Sequence, residues 1–212
     1  MIDAVVFDMD GVLIDSELIH LNAYRRALGS AGTDFTLNWF RVNAPGIARH
    51  EVLQKFSRDT GQVFDIEVVA QQKANEVDSI LRNTKPEVSE DLLQALTSLS
   101  ARFPLAVATS STSAIDFLKW SKLLGYFNSI VTSDDVARGK PAPDIFLEAA
   151  RQLKVSPKSC VVIEDSAAGV QAARAAGMTV IGYSIGGESM ELHEANAICT
   201  HIAQLPDLLS TF

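Results

Sequence analysis

Residues 4–17 read AVVFDMDGVLIDSE, and this stretch decides the fold. It opens with a short apolar run rich in strand-favouring residues, which stops at Asp8. A continuous apolar run, as opposed to an alternating one, is typical of a strand buried on both faces. Asp8 and Asp10 follow at once, and Gly11 permits a tight backbone turn after them. The stretch therefore predicts a buried strand that delivers two carboxylates to one end of a sheet.

Further apolar runs of the same kind recur along the chain. They lie at residues 105–108, 129–132, 161–163 and 179–183. Segments with helical spacing of apolar residues separate them, including 92–99, 145–153 and 167–176. Strands that alternate with helices predict an α/β fold whose parallel sheet is built with right-handed crossovers.

The interval between the first two predicted strands is too long for a single crossover. It holds three helical patterns, at about 17–28, 50–56 and 66–81, with Gly and Pro residues between them. The simplest interpretation is an all-helical cap at 17–82, inserted into a core formed by residues 1–16 and 83–212.

Composition excludes several classes of protein. The formal net charge is −8 and no dense Lys/Arg run occurs, so we expect neither a nucleic-acid partner nor an anionic-membrane partner. The first apolar stretch is interrupted by Asp8 and Asp10, and no positively charged residues precede it, which argues against a signal peptide. Cys160 and Cys199 are far apart, without the spacing of a metal site. We expect a cytoplasmic monomer.

Polar residues end several of the predicted strands. Asp8 and Asp10 follow the first, Thr109 the second, and Glu164 and Asp165 the fourth. Ligands of open α/β sheets bind beyond the carboxyl ends of the strands. Carboxylates gathered there repel one another, and Mg²⁺, which prefers oxygen ligands, would relieve that repulsion. An Asp-x-Asp pair alone is also explained by an exposed turn, but a second acidic pair after another buried strand favours a site.

Four motifs in a fixed order carry a resemblance to a known family. They are DMDGVLIDSE at 8–17, TSS at 109–111, KPAPD at 140–144 and EDSAAG at 164–169. The set resembles the haloacid dehalogenase superfamily, and within it the β-phosphoglucomutase-like and sugar-phosphate phosphatase branch with a helical cap. The resemblance implies a Rossmann-like parallel-sheet core and a phosphoryl group carried transiently on an aspartate.

The resemblance also implies roles for the core residues. Asp8 is implied as the nucleophile, and Asp10 as the general acid that protonates the leaving oxygen and then activates water. Asp10 must then be protonated when substrate arrives, which a crowded acidic site is expected to favour. Thr109 and Lys140 are implied to bind the transferring phosphoryl group. Thr109 could instead cap a helix, and Lys140 could be a solvated loop residue.

Magnesium is the implied cofactor. Its implied ligands are Asp8, the backbone carbonyl of Asp10, and Asp165, with Glu164 as a direct or outer ligand. Glu164 could equally be a structural charge.

Substrate-binding residues are implied on both sides of the predicted cleft. Ser16, Ser110 and Ser111 belong to the motifs, although Ser16 could also cap a helix. His20 lies four residues after Ser16, on the same helical face. Arg49 suits bidentate recognition of a phosphate or carboxylate. Exposure of His20 and Arg49 on a polar face is the alternative.

The expected function is magnesium-dependent hydrolysis of a small phosphorylated metabolite, either a sugar phosphate or a phosphorylated sugar acid. A β-phosphoglucomutase-like mutase is the first alternative. That pattern would show a Lys–Asn pair where this chain has Thr112 and Ser113, and a mutase needs strong contacts to two phosphates. A non-catalytic phosphate-binding regulator is the second alternative, and it would bind magnesium without turnover.

Overall fold

A computed structural model describes residues 2–85, 87–184 and 192–212. The described residues form one six-stranded sheet in the order β3-β2-β1-β4-β5-β6, in which every neighbouring pair is parallel. The strands are β1 (Ala4–Phe7), β2 (Leu105–Ala108), β3 (Ser129–Val131), β4 (Cys160–Glu164), β5 (Thr179–Tyr183) and β6 (Ala197–Cys199). The predicted α/β fold with a parallel sheet is confirmed.

Helices cover both faces of this sheet and fill the interval after β1. They are α1 (Glu17–Leu28), α2 (Leu37–Asn43), α3 (Arg49–Thr60), α4 (Ile66–Asn83), α5 (Glu90–Ser100), α6 (Ala114–Trp120), α7 (Asp144–Leu153), α8 (Ala167–Ala175) and α9 (Leu205–Leu209). None of the helices in the described ranges combines the length and the apolar character that crossing a membrane requires.

The central strand β1 shows why its sequence is apolar throughout. Val5 pairs with Leu105 of β2 on one side and Val161 of β4 on the other. Side chains alternate between faces, so Val5 and Phe7 join the core under α5, α6 and α9, while the other two residues of β1 join the core under α7 and α8. Both faces are buried, which is the arrangement that a continuous apolar run predicts.

The segment α1–α4, called the cap below, has a hydrophobic cluster of its own. Four aromatic residues dominate the cluster: Tyr24, Phe35, Phe40 and Phe56. Tyr24 stacks on Phe35 with ring centroids 4.9 Å apart, and Phe56 meets Phe35 edge-on at the same distance. A separate core between β1 and β2 fits the predicted insertion, and the exact domain boundaries stay a prediction.

Four short elements fall outside the sequence predictions: α2, α6, α9 and β6. The α2 helix spans seven residues with one buried side chain, Phe40, so it has almost no apolar periodicity. The edge strand β6 has three residues, of which only Cys199 is fully buried. The α3 helix is longer than predicted and ends where Gly61 adopts a left-handed conformation at φ 71°.

Candidate active site

The predicted site residues converge at the carboxyl edge of the sheet, facing the cap. Asp8 directly follows β1, Thr109 follows β2, and Glu164 and Asp165 lie at the end of β4. A cavity of about 660 Å³ lies between this edge and the cap. Of the residues predicted from sequence, Asp8, Asp10, Ser16, His20, Arg49, Thr109, Ser110, Ser111 and Asp165 line it. Lys140 and Glu164 are buried directly behind Asp8.

Lys140 is an internal cation shared by two carboxylates. Its Nζ donates to Asp8 Oδ1 and to Glu164 Oε1, both at 2.6 Å, and its side chain is fully buried. The solvated alternative for Lys140 is therefore wrong. Burial works against its charge, but the adjacent Asp8 and Glu164 outweigh burial and raise the pKa of Lys140. The Lys140 ammonium group is thus the only cation in contact with a cluster of three carboxyl groups in the described part of the chain, those of Asp8, Glu164 and Asp165.

The acidic cluster holds more negative charge than Lys140 can balance. Burial, opposed by Lys140 and reinforced by Glu164 and Asp10, raises the pKa of Asp8 to about 8. Burial, with Glu164 and Asp8 nearby, also raises the pKa of Asp165 well above its usual value. A bound divalent cation would lower the pKa values of both carboxyl groups, because it stabilises their ionised forms.

The donor set fits a small hard cation. Ligand oxygens from Asp8, Glu164 and Asp165 lie within 4.8 Å of one another. Both oxygens of Glu164 already accept hydrogen bonds, Oε1 from Lys140 and Oε2 from the amide and hydroxyl of Ser166 at 2.7 and 2.9 Å. Asp8 and Asp165 therefore have the oxygens that remain for direct contact with a metal.

Gly11 is needed where the first loop passes this cluster. Its φ is +78°, and a Cβ built on it would lie 1.8 Å from Oδ2 of Asp165. A side chain at this position would therefore displace the Asp165 carboxylate from the cluster.

Asp10 faces the cap instead of the acidic cluster. Its Oδ1 accepts hydrogen bonds from Ser16 Oγ and His20 Nε2, the latter at 3.0 Å, and Thr109 Oγ1 donates to its Oδ2 at 3.3 Å. Burial raises the pKa of Asp10, but His20 and Ser16 outweigh burial and lower it to about 2. The expectation that acidic crowding protonates Asp10 is wrong, because its nearest neighbours are hydrogen-bond donors. Ser16 occupies the first position before α1, yet its side chain makes no capping bond.

Lys73 of α4 completes a chain of contacts that the sequence analysis missed. Its Nζ lies 3.0 Å from Nδ1 of His20, whose Nε2 contacts Asp10. Burial and the charge of Lys73 lower the pKa of His20, which favours a neutral imidazole. A lysine that donates to Nδ1 leaves the ring proton on Nε2, directed at Asp10. Its position in the sequence does indicate that Lys73 is buried, because Lys73 lies on the same helical face as the buried Val69 and Val77.

Lys73→Met is expected to lower kcat by roughly 10- to 100-fold, as the loss of a group that orients a functional residue typically does. The variant keeps a long apolar stem but removes the charge that lowers the pKa of His20, so Nδ1 of His20 should gain a proton more readily while Nε2 still donates to Asp10. The His20 ring-nitrogen signals in ¹⁵N NMR should report this raised pKa. Lys55→Met, which removes a partly exposed cap lysine paired with Asp59, is the control. An unchanged kcat with an unchanged His20 spectrum would refute the positioning role.

The loop between α2 and α3 contacts the core through Gly46. Ser110 Oγ donates to the carbonyl oxygen of Gly46 at 2.7 Å. Gly46 has a φ of +72°, and a Cβ there would lie 2.4 Å from Ser166 Oγ. The hydroxyl of Ser110 is thus committed to the cap, whereas Ser111 Oγ is buried without a hydrogen-bond partner among the described residues. Arg49 Nε is likewise buried without a hydrogen-bond partner among the described residues.

Comparisons with known proteins agree with this geometry. The family model described as haloacid dehalogenase-like hydrolase matches residues 2–177. The fructose-1-phosphate phosphatase of Escherichia coli (strain K12) is 35% identical over 179 residues, which is 84% of this chain and 94% of that protein. A phosphorylated carbohydrates phosphatase of Thermotoga maritima is 34% identical, over 83% of this chain and 82% of that protein. The crystal structure of β-phosphoglucomutase from Clostridium difficile matches with a TM-score of 0.87 at 27% identity, covering 97% of this chain and 93% of that one. The chain belongs to the haloacid dehalogenase-like hydrolase family.

Proposed function

We propose that this protein is a magnesium-dependent phosphatase of small phosphorylated metabolites, either sugar phosphates or phosphorylated sugar acids, that works through an aspartyl-phosphate at Asp8. One observation carries the proposal. Asp8 lies at the cavity floor, held by Lys140 at 2.6 Å, beside the carboxylates that could hold a cation. The names of the two phosphatase relatives support the class of substrate.

In the first step, a carboxylate oxygen of Asp8 attacks phosphorus and the bond to the leaving oxygen breaks. Lys140 fixes the other oxygen of Asp8, so the attacking oxygen is oriented before substrate binds. On substrate binding, Thr109 would move its hydroxyl hydrogen bond from Asp10 Oδ2 to the transferring group. Phosphoryl transfer depends mostly on such positioning and charge stabilisation.

The leaving oxygen needs a proton, and Asp10 is the group placed to deliver it. The pKa of Asp10 is lowered in the substrate-free site, so Asp10 would take up this proton as substrate binds, from the phosphate monoanion or from solvent. A phosphomonoester has a second pKa near 6 and can carry that proton into the site. Its negative charge beside Asp10 also raises the pKa of Asp10.

In the second step, water attacks the phosphorus of the aspartyl-phosphate. Asp10 accepts the proton from that water, the bond from phosphorus to the Asp8 oxygen breaks, and inorganic phosphate leaves. Ser16, His20 and Lys73 keep Asp10 oriented for both proton transfers.

Asp8 and Asp165 would hold Mg²⁺ directly, with the Asp10 backbone carbonyl as a further ligand and Glu164 acting mainly from the outer shell. The ion would supply positive charge to the transferring phosphoryl oxygens. We also propose that the enzyme acts as a cytoplasmic monomer without nucleic-acid or membrane partners.

Phosphate release from a panel of sugar phosphates and phosphorylated sugar acids tests the proposal. We expect turnover of at least one panel member with Mg²⁺, its loss on adding excess EDTA, and its recovery when Mg²⁺ is restored. Turnover that survives complete chelation would contradict the metal requirement. Magnesium binding without turnover of any panel member would favour the alternative of a non-catalytic phosphate-binding regulator.

A β-phosphoglucomutase-like mutase is the second candidate, supported by the structural match to that enzyme. The two reactions share the aspartyl-phosphate and differ in whether water or a sugar hydroxyl accepts the phosphoryl group. Incubation with β-glucose 1-phosphate and a bisphosphate activator separates them. Glucose 6-phosphate that forms faster than free phosphate would favour the mutase.

A further inference from the structure

Lys73 is a buried lysine that forms no ion pair in the described part of the chain. It is 6% exposed, and none of the ion pairs recorded for the described ranges includes it. Its hydrogen-bond partner is Nδ1 of His20 at 3.0 Å, an uncharged acceptor. Burial without an anionic partner favours the neutral amine over the ammonium. A further contact is therefore needed to hold the charge of Lys73 beside His20.

The aromatic ring of Tyr24 makes such a contact. Nζ of Lys73 lies over this ring, 5.1 Å from the ring centroid. The negative face of an aromatic ring attracts a cation within about 6 Å, most strongly where water is excluded. Tyr24 is only 4% exposed. Ring and ammonium are thus both shielded from water, which is the setting in which a cation–π contact is strongest.

Helix geometry explains why one lysine reaches both Tyr24 and His20. The two residues are four apart on α1, so their side chains lie on one face of that helix, and Lys73 of α4 packs against both. Phe35 stacks on the Tyr24 ring with centroids 4.9 Å apart, and the Phe40 ring lies 6.2 Å away. These neighbours fix the Tyr24 ring, so an ammonium held by it has a fixed position relative to His20.

We propose that Tyr24 is a positioning residue whose ring holds the Lys73 ammonium against His20 and thereby keeps Asp10 oriented for proton transfer. The contacts run from the Tyr24 ring through Lys73 Nζ and the His20 ring to Asp10 Oδ1. Tyr24 acts through Lys73 and transfers no proton itself. This inference deepens the proposed phosphatase function and rests on it.

The protonation of Lys73 gives a direct measure of the contact. Burial and the charge of Arg49, opposed by the charge of Asp10, lower the pKa of Lys73 to about 8. The titratable groups in contact with Lys73 stay uncharged near this pH, because burial lowers the pKa of His20 and raises the pKa of Tyr24. A contact that favours the ammonium therefore changes the charged fraction of Lys73 at pH 8.

Phenylalanine analogues at position 24 test the contact at nearly constant ring size. Tyr24→Phe keeps a ring with a negative face, whereas a trifluorinated phenylalanine at the same position loses most of that negative charge. ¹⁵N NMR of the Lys73 ammonium, with Mg²⁺ and without substrate, should give the same pKa in Tyr24→Phe as in the unmodified protein. The fluorinated ring should weaken the proton affinity of Lys73 by about tenfold.

The same variants should differ in activity at high pH only. Tenfold weaker proton affinity lowers the charged fraction of Lys73 at pH 8 from about one half to about one tenth. For the sugar phosphate that the unmodified enzyme hydrolyses fastest, kcat at pH 8 should therefore be about fivefold lower with the fluorinated ring than in Tyr24→Phe. At pH 6, where Lys73 is charged in both variants, the two values should agree. Phe56→Leu, which removes a ring elsewhere in the cap cluster, should leave the Lys73 titration unchanged.

Equal proton affinity of Lys73 with the two rings would overturn the inference. A loss in Tyr24→Phe as large as with the fluorinated ring would assign the effect to the hydroxyl and also overturn it, as would a loss of kcat that is the same at pH 6 and pH 8. Absence of phosphate release by the unmodified protein contradicts the phosphatase proposal instead. The Lys73 titration needs no substrate, so it still decides whether the ring holds the ammonium.

Discussion

Replacing Asp8 with Asn is expected to lower kcat/KM for every substrate by at least about 10³-fold, the scale typical for loss of a catalytic nucleophile. The amide has the shape of the carboxylate but lacks the anionic oxygen that attacks phosphorus. Rapid acid quenching of the unmodified enzyme during turnover should reveal a phosphorylated peptide containing residue 8 by mass spectrometry. That peptide should be absent from the variant.

Asp3→Asn is the matched control, because it makes the same chemical change at the exposed start of the same chain segment. The fold of Asp8→Asn should persist, since the carbonyl oxygen of the new amide can still accept a hydrogen bond from Lys140. The substitution also removes one charge from a crowded acidic cluster. Circular dichroism of the Asp8→Asn protein checks that its fold persists. Normal turnover by a folded Asp8→Asn protein would exclude the aspartyl-phosphate.

The carboxyl edge of the sheet could be predicted from sequence because short-range patterns fix it. An apolar run determines where β1 ends, and Asp8 must then lie at that end. The same reasoning places Thr109 after β2 and Asp165 after β4, since parallel strands present their carboxyl ends at one edge. Residues that directly follow neighbouring parallel strands therefore lie close together in space, and this can be predicted without knowing the structure of the cap.

The surroundings of Asp10 could not be predicted in the same way. Lys73 lies 53 residues from His20 in sequence, and only the packing of α4 on α1 brings the two together. Acidic neighbours in sequence suggest a raised pKa for Asp10, yet the side chain turns toward donors from the cap. Gly46 and Ser110, 64 residues apart, meet for a similar reason.

Each catalytic carboxylate consequently has its own cationic partner. Asp8 is paired with Lys140 from the core, and Asp10 is connected through His20 to Lys73 from the cap. The two environments shift the pKa values in opposite directions, to about 8 for Asp8 and about 2 for Asp10. In the metal-free, substrate-free site these shifts run opposite to the two roles, so a bound cation must lower the pKa of Asp8 and the substrate phosphate must raise that of Asp10 before each residue can act.

Lys140→Met is expected to reduce the free energy of unfolding by about 3–5 kcal/mol without Mg²⁺, the cost typical of leaving a buried charge unpaired. Methionine fills a similar volume, so the loss comes from Asp8 and Glu164 facing each other without their shared cation. Urea unfolding measures the change, and Lys158→Met at an exposed position is the control. Activity should also fall, because Asp8 loses the bond that orients it.

A second substitution separates the loss of stability from the loss of activity. Adding Glu164→Gln to Lys140→Met removes one of the two buried charges, while the Gln carbonyl can still accept the hydrogen bonds from Ser166. The double variant should recover at least about 1 kcal/mol of stability, within the range of coupling between contacting residues. Phosphate release should stay low, because no cation then faces Asp8. Independent, additive effects on stability would mean that Lys140 does not balance these two carboxylates together, and the charge assignment of the whole cluster would fail.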